Sequence, residues 1–540
     1  MSAKQILFRA EAREKLLRGA SALVEAIRVT LGPKSKCVLI SRKWGKPIAC
    51  NDGVTIAKEF ELTDANENLG AQMIRQAAER TSESVGDGTS TATVLAFAIA
   101  SEGIRNITAG ASAIDLKRGL DRGLRTCLRS LQSLSKRLET PREKAQVASI
   151  SAHNDTEMGE LVAQAMESVG PEGAITVEES RTTETTLEVV EGLKIEHGYI
   201  SPYFVTHPEK MEVLLENPLI LLSEKKIGHL TEFLPLLEKI AKSSRQLLIV
   251  AEDVEPDALA TLVVNRMRGV LTSAAVKAPG FGDQRRAQLQ DLAVLTGGKV
   301  LSEELGLTLA KLEPEDLGSA KRVVLSKDST VIVGGAGDRN QIEARCAELR
   351  TQIDHSKSNY DREKLRERLA KLSGGVAVIR VGAPSETEMQ NRKEAFDDAI
   401  SATKAATSEG IVPGGGLALL RTLDAVHEES QRCEGDERTG VLILKRALEA
   451  PARQIAENSA ADGGVVVSKL REGTGHFGFD AAHNTYVDLM TAGIIDPTKV
   501  IRVALENAVS AAGILLFTEA LLTEVPTHPE ERREPLVPSL

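Results

Sequence analysis

The sequence predicts a multidomain α and α/β protein. A mostly helical domain is built from both chain ends, and an α/β domain is inserted between them. Three observations carry this. The chain has 540 residues, too many for one hydrophobic core, and roughly 150 residues per domain gives about three or four. Apolar residues recur at helical spacing up to about residue 135 and again from about 386. Between those stretches short apolar runs alternate with helical segments, the pattern of strands and helices in layers.

In order, residues 9–30 set Leu16, Leu17, Leu23, Val24 and Ile27 between charged positions, which makes an amphipathic helix. It should stop at Leu31–Pro33, since glycine suits the position after a helix and proline cannot continue one. Cys37–Ile40 reads as a strand. Asn51–Gly53 reads as a turn between two extended runs, so Lys36 to Ile56 is expected to be a small β-hairpin region. Residues 64–80, 112–134 and 143–169 are helical; the second has Leu116, Leu120, Leu124, Leu128, Leu131 and Leu134 three or four apart. Strands are expected at Ala174–Val177, Thr186–Val190, Leu219–Leu222, Leu247–Val250, Gly269–Val276 and Arg322–Val324. Asp361–Leu372 is a charged amphipathic helix, and Gly374–Gly375 breaks the chain before a strand at Val376–Val381. Beyond 386 the pattern is almost wholly helical, apart from Gly414–Gly416 and strands near Phe477–Phe479 and Tyr486–Val487. The end, with four prolines after residue 524, reads as a disordered tail.

The stretch with the clearest chemistry is Gly86–Thr91, followed by the apolar run Ala92–Ala100. It reads as a glycine turn feeding the start of a helix. Free N–H groups and the positive end of the helix dipole suit a phosphate there. Thr89, Ser90 and Thr91 add hydroxyls, and Asp87 is an oxygen ligand of the kind Mg²⁺ takes when it bridges phosphates. The same residues also fit a plain capped helix. No Gly-Lys-Ser/Thr follows, so this is not a P-loop.

Composition excludes several classes. A formal charge of −10 and a pI near 5.6 argue against a nucleic-acid binder. The five cysteines are scattered and lack a C-x-x-C, which favours a reducing compartment over a zinc site or disulfide framework. No signal-peptide pattern and no apolar run of membrane-spanning length is evident, so a cytoplasmic protein without a membrane partner is expected.

Longer motifs then match a family. Val29–Pro33, Asp52–Thr55, Gly86–Leu95, Asp115–Gly119, Ala278–Gly282, Tyr360–Lys364, Gly374–Val378, Gly414–Gly416 and Asp496–Lys499 together resemble the group I chaperonins of the GroEL type, from about residue 4 to residue 526. The resemblance implies an equatorial ATPase domain of about 1–135 and 410–526. It implies an intermediate hinge domain of about 136–191 and 376–409, and an apical domain of about 192–375, leaving a tail at 527–540. It also implies two stacked seven-membered rings, a co-chaperonin lid of the GroES type, and unfolded polypeptides as clients.

Site residues follow by the same match. The phosphate cradle falls on Thr30, Leu31, Gly32, Pro33, Asp87, Gly88, Thr89, Ser90 and Thr91. Asp87 matches the Mg²⁺ ligand, and Thr30 and Ser90 match oxygens of a K⁺ site. Asp52 and Asp398 match carboxylates that orient and activate the attacking water; alone, Asp398 looks like any helix carboxylate. Gly415, Asp480, Ala481, Ala482 and Asp496 match base and ribose contacts of ATP. Tyr199, Tyr203, Phe204, Leu234, Leu237, Leu259, Val263 and Val264 match an exposed polypeptide-binding face.

Part of that face is visible without the family. Tyr199, Tyr203 and Phe204 fall within six positions in a chain with one Trp, four Tyr and ten Phe. Ala258–Val264 is apolar on nearly every helical face, so it is either buried all round or shared between a core and a partner. Departures from the family are Asn51 in place of a lysine beside the phosphates, Ser408 in place of an acid, His197 in place of an arginine, and no Gly/Met-rich tail. They suggest a divergent paralogue. The rival readings are a ring-forming binding protein with weak turnover, supported by Asn51, and an ordinary ATP-dependent transferase, for which no second substrate pocket can be named.

Overall fold

The computed structural model describes residues 4–41, 47–138, 140–152, 154–170, 173–180, 182–208, 210–228, 230–302, 309–356 and 358–524. The expected tail at 527–540 lies outside the described residues. The chain forms two compact units, Met1–Ala163 with Ser385–Leu540, and Gln164–Pro384. The segments expected to form a hinge are divided, with 136–163 and 385–409 in the first unit and 164–191 and 376–384 in the second.

The first unit is helical and joins both ends of the chain. Helices Arg9–Arg28, Ala65–Val85, Thr89–Thr108 and Ala113–Leu134 pack with Gly435–Ala447 and Thr498–Phe517. In Ala113–Leu134 the stripe is Leu116, Leu120, Cys127 and Leu131, all buried, so the leucine spacing reads through into packing. The helix Thr498–Phe517 corrects one expectation, because it is long and apolar enough to cross a membrane. Arg502, Glu506 and Asn507 interrupt its apolar run in the sequence. It is the core helix of this unit, buried on most sides between the other long helices.

Two further elements were not legible. Strand Lys4–Phe8 pairs antiparallel with Ala520–Glu524, so the first and last described segments meet, with Leu7 opposite Leu521 and both buried. Residues 143–169 are two helices, Pro141–Ser151 and Thr156–Val169, not a single run. Thr140 and Glu143 form a reciprocal cap at the start of the first.

The second unit is α/β as expected. Leu219–Ser223, Leu247–Ala251 and Ser273–Lys277 lie parallel, and Val300–Leu301 joins them. Every residue of the first two strands is buried, as in parallel strands covered on both faces. Gly318–Leu325, Thr330–Gly335, Gly192–Ile195 and Val213–Glu216 extend the sheet in antiparallel fashion. A separate three-stranded sheet sets Val376–Val381 between Ala174–Glu179 and Thr186–Val190. Helices Gly282–Thr296, Arg339–His355 and Asn359–Gly374 are tied together by Asp291. It is 3% exposed and accepts from Arg345 at 2.8 Å and from Arg368 at 2.7 Å.

Candidate functional site

The phosphate-type turn forms as its residues dictate. Gly86 ends helix Ala65–Val85 at φ 72°, and Gly88 opens helix Thr89–Thr108 at φ 81°. Both values lie in the left-handed region that glycine alone adopts freely. The N-cap of the second helix is Gly88, which has no side chain to cap it, and a helix start of this kind suits an anion.

A second helix start is brought against this one. Asn51–Gly53 is not the turn of a hairpin. Val38–Ile40 and Ile48–Cys50 do pair, but Asp52 caps the helix Gly53–Glu59, accepting from Val54 N at 3.3 Å and Thr55 N at 2.8 Å. An Asp immediately before a helical run is an N-cap as readily as a turn residue, and the tertiary context selected the cap. A Cβ on Gly53 would lie 2.5 Å from Ser90 Oγ and 2.9 Å from Thr89 Oγ1, so only glycine allows this approach. Ser90 Oγ in turn sits 2.9 Å from Thr30 Oγ1, which brings in the Thr30–Pro33 turn.

Two residues that sequence reasoning missed hold the cradle. Asn458 spends both amide hydrogens on it, donating to Arg28 O and Leu31 O at 2.8 Å each. Ser151, at the end of helix Pro141–Ser151, donates to Asp87 Oδ2 at 3.1 Å. A lone Asn or Ser on a remote helix leaves no sequence signal.

Asp398 rides on the helix Glu386–Glu409. Burial raises its carboxyl well above the usual carboxylate range, and the like charges of Asp87 and Asp52 add to this, so the three acids converge. Asp496 is pushed up to about 7 by burial and by Asp87. It pairs with Val412 across a short two-stranded sheet and lies against Gly414. Gly415 faces the Phe479 carbonyl, which places Asp480, Ala481 and Ala482 at the same end. Asp480 is tied down locally, accepting from Ala482 N at 2.9 Å and meeting His483 Nδ1 at 2.7 Å. The expected phosphate, water-activating and base-binding residues therefore come together within the first unit. Lys58, a basic residue close in sequence to Asn51, is exposed near the far end of the Gly53–Glu59 helix.

The apolar residues of the second unit divide. Tyr203 is 65% exposed, Val264 43% and Leu234 38%, while Tyr199, Leu259 and Val263 are half-buried. Phe204 and Leu237 do not reach solvent: Phe204 is fully buried and Leu237 nearly so. Phe204 follows Tyr203 in the 3-10 turn Pro202–Phe204 and points inward where Tyr203 points out. Helix Pro256–Met267 is thus two-faced, with Ala258 and Leu262 in the core and Val264 and Met267 outside.

The family model described as the TCP-1/cpn60 chaperonin family matches residues 23–526, and the chain belongs to that family. Within it the chain is of the GroEL type: it is 63% identical over 532 residues to Chaperonin GroEL 5 of Bradyrhizobium diazoefficiens, with 98% of each chain covered. It is an ATP-dependent chaperonin that assists protein folding.

Proposed function

We propose that the first unit hydrolyses ATP at the Asp52, Asp87 and Asp398 cluster, and that the second unit captures non-native polypeptide on its exposed apolar residues. The observation that carries this is that Asp52 and Asp87 both act on the buried Asp398, beside the glycine-capped start of helix Thr89–Thr108. Thr30–Pro33 and Asp87–Thr91 cradle the phosphates, while Gly415, Asp480, Ala481, Ala482 and Asp496 hold the base and ribose. Asp398 takes the proton of the attacking water and Asp52 orients it. Asp398 lies on a helix that packs against Pro141–Ser151, which itself holds Asp87 through Ser151, so one packed pair sets both carboxylates.

The donor chemistry fits the implied cations. Mg²⁺ takes one or two carboxylates and completes its shell with phosphates and water, so a single Asp87 suffices. Bound Mg²⁺ neutralises phosphate charge. Thr30 Oγ1 and Ser90 Oγ, 2.9 Å apart, offer the oxygens of a K⁺ site.

The division into equatorial, intermediate and apical domains belongs to this reading. So do a double seven-membered ring, a GroES-type lid and a cytoplasmic setting. Non-directional apolar contact explains how Tyr203, Leu234 and Val264 hold unrelated chains. Refolding of a denatured test enzyme tests the proposal: recovery should require ATP and rise when a co-chaperonin is added. Recovery that is the same without nucleotide would refute it.

A further inference from the structure

Among the described residues, one charge near the exposed apolar residues of the second unit has no carboxylate partner. Arg266, two residues after Val264 on the helix Pro256–Met267 and one turn beyond Val263, is only part-exposed. Its two terminal nitrogens donate to the carbonyls of Tyr203 and Val205, so it fastens the Pro202–Phe204 turn to the helix. A guanidinium has five N–H donors in a rigid fork. Two are spent here and three remain. Among the described residues none of the ion pairs includes Arg266, and burial alone lowers its pKa, with no carboxylate acting on it. Tyr203, Val264 and Met267, which surround it in sequence or through the turn, are 65%, 43% and 74% exposed.

A half-buried cation fastened to the turn that carries the exposed Tyr203 favours a ligand that covers the apolar ring and also brings an anion. We propose that Arg266 is a specificity-determining residue of the capture face, selecting apolar segments that carry an aspartate or glutamate over equally apolar segments without one. The inference rests on the reading of Tyr203, Leu234 and Val264 as a polypeptide-binding face. Backbone carbonyls of the turn hold the guanidinium in place, so the fork is oriented before a segment arrives and little rotamer freedom is lost on binding.

The test uses the full-length protein and two fluorescent peptides of one apolar sequence, differing only by Glu or Gln at a single internal position. Fluorescence anisotropy at low ionic strength should give the Glu peptide roughly fivefold tighter binding, the scale of one partly screened charge-assisted contact. Arg266→Gln keeps an amide donor for the turn but removes the charge; it should bring the ratio to about one with the Gln peptide little changed. No preference in the wild type, or an undiminished preference in Arg266→Gln, would overturn the proposal. In the wild type itself the preference should vanish at high salt, and its persistence there would also overturn it, whether or not the variant folds. Val264→Ser should weaken both peptides together. If it leaves both unchanged, the capture face itself is misread, independently of Arg266.

Discussion

Glu409 and Arg502 form a two-point ion pair, Nε to Oε2 at 2.9 Å and Nη2 to Oε1 at 2.6 Å. The pair fastens the end of the helix that carries Asp398 to the core helix Thr498–Phe517. Hydrogen bonding to Arg502 holds the Glu409 carboxyl below its ordinary 4.5. Its contribution is therefore present above about pH 4.5 and is lost as the pH falls through the lower folded value. Arg502→Gln should cost about 1 kcal/mol in urea unfolding at pH 7, since both groups are about one-third exposed. The difference from wild type should shrink in acid; a gap that widens there would contradict this account.

Asp398→Ala should bind nucleotide within a few-fold of wild type yet hydrolyse it about 10² to 10⁴ times more slowly, the usual scale for a lost general base. Phosphate release and binding of a fluorescent nucleotide separate the two effects. Near-normal phosphate release would remove Asp398 from the mechanism.

Asp496 gives a pH test on the nucleotide-free protein. Its folded pKa is raised from 3.8 to about 7, mainly by burial. The protonated form is the one the fold accommodates, so its contribution is full below about pH 4 and is lost as the pH rises to about 7. Asp496→Asn should then be more stable than wild type at pH 8, by an amount on the order of 1 kcal/mol or more, and the two should converge near pH 4. Equal unfolding midpoints at pH 8 would show that the acid carries no such strain.

Leu237→Ser and Val264→Ser, similar on paper, should behave differently. Leu237 is 4% exposed and Val264 43%. The first should destabilise the second unit by about 2–5 kcal/mol, as buried leucine losses do. The second should change stability by under about 0.5 kcal/mol while weakening capture of denatured protein. Thermal unfolding with a binding assay distinguishes them, and matched behaviour of the two variants would sink the division of this face.

Sequence alone determined what local physics controls. Leucine spacing fixed the helix Ala113–Leu134, and the glycines at 86 and 88 fixed the turn, because φ near 70–80° is open to little else. The strands Thr186–Val190 and Val376–Val381 were legible with their bounds. The family motifs named the site residues without giving them an environment. Only the tertiary structure decided what depends on surroundings beyond the local sequence. It turned Asp52 into a helix cap and set Gly53 against Ser90. It hung the Thr30–Pro33 turn on Asn458, paired Lys4–Phe8 with Ala520–Glu524, and gave helix Pro256–Met267 two faces. The acidity of Asp398 belongs there too, since desolvation and the charges of Asp87 and Asp52 exist only once the chain has folded around it.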